Sequence, residues 1–485
     1  MACTTILVGK KASNDGSTMI ARNDDGFFDV KKLIVVNPKD QPRKYKSVIG
    51  HLEINLPDNP VRYTSSPSVD QKHGVWPANG INEYNVAMTA TETITSNSRV
   101  LGADPLVRYK KAEKKSEKDI PGGIGEEDIV LLVIPYVKSA REGVLRLGSL
   151  LEQYGTYEQN GIAFSDNDEI WWLETIGGHH WIARKVKDDE VVIMPNQFGL
   201  DRFDFDDAYG KQQENLCSKD LKEFVIKNNL CLNDGPFNPR LAFGSHSDAD
   251  HVYNTPRAWY MGRYLNNVDF KWDGPDANFT PESDNIPWSI KPSRKITIED
   301  VKYILSSYYQ GTPYNPYQKD NPLRGKNRPI GISRTDVMAI LQIRNNCPKE
   351  IQAIEWICFG SNAFNTVMPL YANVDKMPKY VSDVSLDVST NNFYWQSRLI
   401  GVLADSHFGD AIMDVERYQS ASLNEGMKLL NEFDKKYNEN KDLKILLEAN
   451  EKISQEINKL SVNTINRLVF VASTQMKNGY SRKDN

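Results

Sequence analysis

The chain has 485 residues, 40% hydrophobic and 25% charged, a balance that supports a folded core and excludes disordered and fibrous architectures. Its net charge of −5 offers no concentrated basic face for a nucleic-acid backbone. No stretch approaches the ~20 apolar residues needed to cross a bilayer.

The length corresponds to about three average domains, or to one enzyme domain with large insertions. The opening MACTTILVGKK lacks the basic start and cleavage site of a secretory signal, so a cytoplasmic address is expected. Cys3, Cys217, Cys231, Cys347 and Cys358 are odd in number and contain no CxxC pair. That pattern fits a reducing compartment and argues against a disulfide framework or structural zinc.

The first predicted element is a hairpin. CTTILVGK is rich in β-branched and apolar residues, Asn14, Asp15 and Gly16 signal a turn, and STMIAR reads as the returning strand. An antiparallel return carries residues 22–25 back beside Cys3. A second β-rich block is GINEYNVAMTATETIT, followed by a charged loop over residues 110–125. Glu126, Glu127 and Asp128 then open an apolar run ending near Leu151, which predicts one helix with acids at its positive end. Further strands are expected in GIAFSDNDEIWWLETIGGHHWIARKV and VVIMPNQ. Residues 266–328, rich in Pro, Asn and Asp, predict long surface loops. After Gly409 the pattern is helical, with Leu446, Ile453, Ile457 and Leu460 on one face. The chain thus divides into a core with insertions over residues 3–408 and a mostly helical region over 409–485 packed on it.

Cys3 alone reads as a small buried hydrophobe. Its neighbours across the hairpin change that reading, because Arg22, Asn23 and Asp25 gather a permanent cation, an amide and a carboxylate near the sulfur. A cation beside a thiol favours the nucleophilic thiolate. A cysteine at a chain terminus also carries its own base, since an α-amine titrates at about 7.7 to 8.0. A carboxylate such as Asp25 would orient that amine, as the third member of a triad does. The plain alternative is a structural ion pair of Arg22 and Asp25 at a strand end.

Other signals are weaker. His179 and His180 are adjacent in a predicted strand, so their side chains are expected on opposite faces and not on one metal. His246, Asp248, Asp250 and His251 fit a polar loop, and Asp166, Asn167, Asp168 and Glu169 a turn. Trp171 and Trp172 fit a substrate pocket or a packed core. No P-loop, GxSxG elbow or HExxH pair is present.

The start ACTTILVGKKASNDGSTMIARNDD closely resembles the N-terminal-cysteine dipeptidases of lactic-acid bacteria, the C69 peptidase family, a branch of the N-terminal nucleophile hydrolases. Further similar stretches are WPANGINEYNVAMTATET, GIAFSDNDEIWWLETIGGHHW, PNQF, RPIGISRT and YWQSRLIGVL. The resemblance implies an α+β fold, a four-layer αββα sandwich, and hydrolysis of small peptides, mainly dipeptides, without a metal or organic cofactor. It implies Cys3 as nucleophile, Arg22 as its cation, Asp25 as the carboxylate for the amine, Asn196 as an oxyanion donor and Arg257 as a distal active-site arginine. Related bile-salt hydrolases place an asparagine near the position that Glu92 holds here, and a carboxylate there suits a free substrate amine. Trp171 is the other expected substrate-binding residue.

The relatives suggest a homo-oligomer. They also imply that Met1 and Ala2 must be removed, since Ala2 blocks the amine of Cys3. Two alternatives stay open: an acylase acting on a non-peptide amide, and an inactive scaffold with Cys3 blocked.

Overall fold

The computed structural model describes residues 3–476. Met1 and Ala2, on which the expectation of a removed leader falls, lie outside the described residues. Strands buried on both faces build two antiparallel sheets, which with the helices make the chain α+β. The seven-stranded sheet runs in the order Ser289–Ile290, Val191–Pro195, Thr4–Val8, Thr18–Asp25, Thr335–Ile343, Ala353–Phe359 and Met368–Tyr371. The six-stranded sheet runs Asn215–Cys217, His180–Lys185, Ile170–Ile176, Asn160–Ser165, Ala87–Thr93 and Asn79–Ile81.

The predicted hairpin forms, pairing Thr4 with Asn23 and Val8 with Met19. Its turn is fixed locally: Gly16 has φ +80°, where a side chain is costly, and the Asp15 carboxylate accepts from Ser13 Oγ and Ser17 N. The strand Thr18–Asp25 is hydrogen-bonded on both edges and buried along its whole length. It contacts Ala87–Thr93 and Asn160–Ser165 of the other sheet. Ile6, Ile20, Ala163, Trp172 and Ile182 share one core built from both sheets. Each fully buried aliphatic side chain there contributes about 1.5–3 kcal/mol, which holds the hairpin rigidly under whatever chemistry it carries.

The single helix expected from residue 126 to 151 is divided. Ile129–Val133 is helical, Ile134–Tyr136 is a 3-10 turn containing Pro135, and Ala140–Tyr154 restarts with Ser139 as N-cap, accepting from Glu142 N. Proline removes a backbone donor and clashes with the preceding turn, so the helix stops there. The leading acids are also not solvated dipole partners, because Glu126, Glu127 and Asp128 are each at most 2% exposed. Glu127 accepts from Val48 N and Ile49 N, and Asp128 from Tyr45 Oη at 2.6 Å. The helix Ala140–Tyr154 packs on the six-stranded sheet over a second core that includes Phe164, Trp171 and Leu173.

Residues 266–328 are mostly loops, as predicted, but they contain the helix Ile298–Leu305, started by a Thr297 and Asp300 capping box. It packs on Thr4–Val8, Thr18–Asp25 and Thr335–Ile343. The last helices, Phe408–Asn440 and Lys444–Thr474, pack on each other and on Met368–Tyr371. Leu446, Ile453 and Ile457 are buried on the expected face, and Leu460 is half-buried. Asn450 exchanges two hydrogen bonds with the Tyr371 backbone, at 2.8 and 3.0 Å. Among the described residues no helix is long and apolar enough to cross a membrane.

The two adjacent histidines depart from expectation. His179 lies in the turn before the strand, so both rings reach one carboxylate, with Nδ1 of His179 and His180 at 2.9 and 2.7 Å from Asp104. Burial would push Asp104 up, but the two histidines and the His179 N–H hold it lower, at about 2. Burial pulls His180 down, and Asp104 outweighs it, so its net shift is upward. A depressed acid contributes stability above its unfolded value of about 3.9, and a raised histidine contributes it below about 6.5. Asp104→Asn is therefore expected to lower the melting temperature most between about pH 4 and 6.5. Equal losses at pH 5 and pH 8.5 in thermal melts would show that the carboxylate charge is not what anchors this turn.

Candidate active site

The hairpin register decides which side chains meet. Extending it by one residue sets Cys3 beside Asp24, and alternation puts Thr5, Arg22 and Asp24 on the same face as Cys3. Arg22 Nη1 donates to Cys3 Sγ at 2.9 Å and to Thr91 O at 2.6 Å, and Nη2 donates to Ala78 O and Ala90 O at 2.9 and 2.8 Å. Its charge is balanced by Asp24 at 3.4 Å and Glu126 at 3.5 Å. Arg22 is 3% exposed and Cys3 fully buried. An inert core cysteine needs no guanidinium, so this contact separates Cys3 from the buried Cys358, whose thiol donates to Phe359 O at 3.7 Å.

Burial pushes the Cys3 thiol well above its ordinary range. Arg22 opposes this, while Glu126, Asp24 and Glu92 push it further up. For Asp24 burial acts upward, but Lys31 at 3.2 Å and Arg22 hold its carboxyl below the usual range. Burial and the charge of Asp24 push Glu126 up. Oxygens of Asp24 and Glu126 and the Cys3 sulfur lie within 4.8 Å of one another, the span of a small cation site. Arg22 Nη1 already stands within 3.5 Å of all three, so we assign the cationic position to the guanidinium rather than to a metal.

Asp25 falls on the other face of its strand. Its Oδ1 accepts from Thr335 Oγ1 at 2.6 Å and its Oδ2 from Arg328. Its charge still reaches the site as a minor upward influence on Glu92 and Arg257. Arg257, on the helix Thr255–Leu265, is fully buried, and its Nη1 donates to Cys3 O and to Thr4 Oγ1. Its Nη2 donates to Asn196 Oδ1 at 2.9 Å and Asn254 Oδ1 at 2.8 Å. Burial and the nearby Arg328 bring Arg257 down to about 10. Asn196, just after the strand Val191–Pro195, donates from Nδ2 to Thr93 O at 2.8 Å.

Glu92 is buried, with Oε2 accepting from Thr5 Oγ1 at 2.6 Å and Oε1 without a hydrogen-bond partner. Burial raises it to about 7, against the pull of Arg257, Thr5 and Arg22.

Of the expected residues, Cys3, Arg22, Arg257 and Asn196 are thus joined by hydrogen bonds, Glu92 meets the hairpin through Thr5, and Asp25 is held by Thr335 and Arg328 on the other face of its strand. Trp171 is not part of this arrangement. It lies in the core under the helix Ala140–Tyr154, beneath the Arg141 guanidinium, because its strand alternation turns it to that face. Trp172, on the opposite face, donates to Glu174. Of the residues read as a polar loop, His246 and Asp248 lie outside any helix or strand, but Asp250 and His251 open the short helix Asp250–Tyr253, where Asp250 accepts from Ser247 and Asn254 and His251 meets Asp284.

Asp24, Glu126 and Arg328 escaped the sequence reading. Two adjacent acids in RNDD and three before a wholly apolar run were the available signals. Arg328 opens RPIGISRT, a stretch the resemblance already carried.

The model of peptidase family C69 matches residues 2–421 of this sequence. The chain belongs to peptidase family C69. Among its relatives, a protein named Dipeptidase from Bifidobacterium longum is 58% identical over 438 residues, covering 89% of this chain and 82% of that one. Probable dipeptidase A from Streptococcus pyogenes is 50% identical over an alignment of 493 positions that covers 100% of each chain. Dipeptidase A from Lactobacillus helveticus is 44% identical over 478 residues, 96% of each chain.

Proposed function

We propose that this C69 family member is a cysteine-type dipeptidase in which Cys3, freed of Met1 and Ala2, is the nucleophile and its α-amine the proton carrier. The observation that carries this reading is the 2.9 Å contact of Arg22 Nη1 with the buried Cys3 sulfur. Dipeptidase relatives that span the whole chain support the substrate class. Two sheets in contact, with helices against each, support the four-layer αββα reading.

With Ala2 attached, the nitrogen of residue 3 is an amide and has no basic lone pair. Once freed, it takes the thiol proton, and the sulfur attacks the peptide carbonyl. The Asn196 amide, oriented by Arg257, and backbone N–H groups stabilise the oxyanion. As the carbon–nitrogen bond breaks, the ammonium returns its proton to the leaving amine. Water then adds to the thioester by the reverse proton route. Asp25, held by Arg328 and Thr335, orients the amine, and Glu92 belongs to the substrate-binding wall. No metal or organic cofactor is assigned a step.

Intact mass and N-terminal sequencing, read beside turnover of a dipeptide panel, conjugated bile acids and penicillin V, test the proposal. Active preparations are expected to begin at Cys3 and to prefer dipeptides. Full activity in protein that retains Ala2 would overturn the free-amine mechanism, and preference for the non-peptide amides would favour an acylase.

A further inference from the structure

A dipeptidase must recognise a free amine, and the resemblance to bile-salt hydrolases offers Glu92 for that task. The three-dimensional arrangement points elsewhere. Resting on the reading of Cys3 as nucleophile, we propose that Glu126, with Asp24 beside it, receives the α-ammonium of the substrate and so determines specificity for an unblocked N-terminus.

The argument starts from bond geometry. In an aminoacyl group the amine nitrogen lies about 2.5 Å from the carbonyl carbon, as the N–Cα and Cα–C bonds and their angle require. A sulfur in attacking position stands about 3–3.5 Å from that carbon. The ammonium therefore falls within about 6 Å of the sulfur, whatever the side chain. Oxygens of Glu126 and Asp24 lie within 4.8 Å of Cys3 Sγ and of each other. A carboxylate so placed can meet an ammonium at hydrogen-bond distance, about 2.7–2.9 Å, without moving the reacting carbonyl.

A second, independent observation is the state of Glu126 itself. It is 2% exposed, and its Oε2 has no hydrogen-bond partner, while Oε1 meets Thr91 N and Arg22. A buried carboxylate oxygen without a donor is costly unless something else supplies one. Charge counting agrees. The buried cations Arg22 and Lys31 face Asp24, Glu126 and Glu92, and behind them Glu158 accepts from Glu126 N at 2.6 Å. Arg257 answers Glu92, so around Glu126 itself the two cations Arg22 and Lys31 face three carboxyl groups, Asp24, Glu126 and Glu158, and the pocket can take a further positive charge. Glu92 also keeps one oxygen, Oε1, without a partner, but it is drawn toward Arg257 and is not in the cluster that Glu126 and Asp24 form with the Cys3 sulfur.

The test compares alanyl-leucine with propanoyl-leucine, which has hydrogen where the amine was. Both are measured as substrates and as protectants of Cys3 against iodoacetamide, so binding is read even where turnover fails. In the parent protein alanyl-leucine is expected to protect at concentrations at least ~30-fold lower, the worth of a buried charge-assisted pair. Glu126→Gln should close most of that gap, by raising the concentration of alanyl-leucine needed far more than that of propanoyl-leucine. Glu92→Gln should leave the gap in place. The inference is overturned if Glu126→Gln weakens both compounds equally, which marks a structural role or a role in holding the Cys3 amine. It is equally overturned if Glu92→Gln, and not Glu126→Gln, closes the gap. Parent protein inactive on dipeptides, or active after Cys3→Ala, would instead sink the underlying cysteine dipeptidase reading.

Discussion

Cys3→Ala is expected to abolish dipeptide hydrolysis, lowering kcat by on the order of 10⁵-fold or more, while the protein stays folded. The size follows from the role: without sulfur no thioester forms, and the remaining network can only orient substrate and water. Stability should change by no more than about 1–2 kcal/mol, because the alteration removes one buried atom from a strand held on both edges. Removing the thiol also relieves a group whose ionised form burial opposes. Cys3→Ser should keep only a trace of activity, since a hydroxyl gives up its proton far less readily than a thiol. Steady-state kinetics beside thermal melts check both variants. A folded Cys3→Ala protein with more than about one hundredth of the parent kcat would remove Cys3 from the chemistry.

Arg22→Lys is expected to lower kcat by about 10²- to 10³-fold, the usual worth of a fixed donor in a water-excluded site. Arg22 holds the sulfur and three backbone carbonyls at once through two nitrogens of one planar group. A lysine ammonium is a single point on a flexible stem and cannot reproduce that fork. The charge near Asp24 and Glu126 is kept, so the loss should fall on turnover more than on folding. Arg22→Met removes the charge as well and is expected to cost about 3–5 kcal/mol of stability, since it leaves two buried carboxyl groups short of their cation. Kinetics for the lysine variant and denaturant unfolding for the methionine variant separate these effects. If Arg22→Lys keeps parent kcat, the sulfur contact is incidental and Arg22 serves only the strand end.

The hairpin and the meeting of Cys3 with Arg22 were readable from sequence because each depends on local rules: β-branched runs, a turn signal, and antiparallel return. The same holds for the C-terminal helices, where one apolar stripe recurs over many turns. The resemblance added Asn196, Arg257 and Glu92, and the structure brings all three into one network with the hairpin. It does not bring Trp171, because alternation alone leaves open which face of a sheet looks toward the site. The helix expected after Glu126 failed for a local reason that was visible in Pro135, and it misplaced three acids that are in fact buried.

By itself, then, the sequence determined the hairpin, the strand carrying Cys3 and the identity of its cation, all set by neighbours within about twenty residues. Only the tertiary structure decided which acid stands beside the sulfur. The hairpin loop spans residues 9–17, too long to fix register by turn type, and a shift of one residue exchanges Asp24 for Asp25. Glu126 reaches Arg22 across 104 positions, and Arg328 reaches Asp25 across 303. Such contacts are set by how the two sheets and the long loop pack, and their cost in desolvation is repaid only when all the partners arrive together.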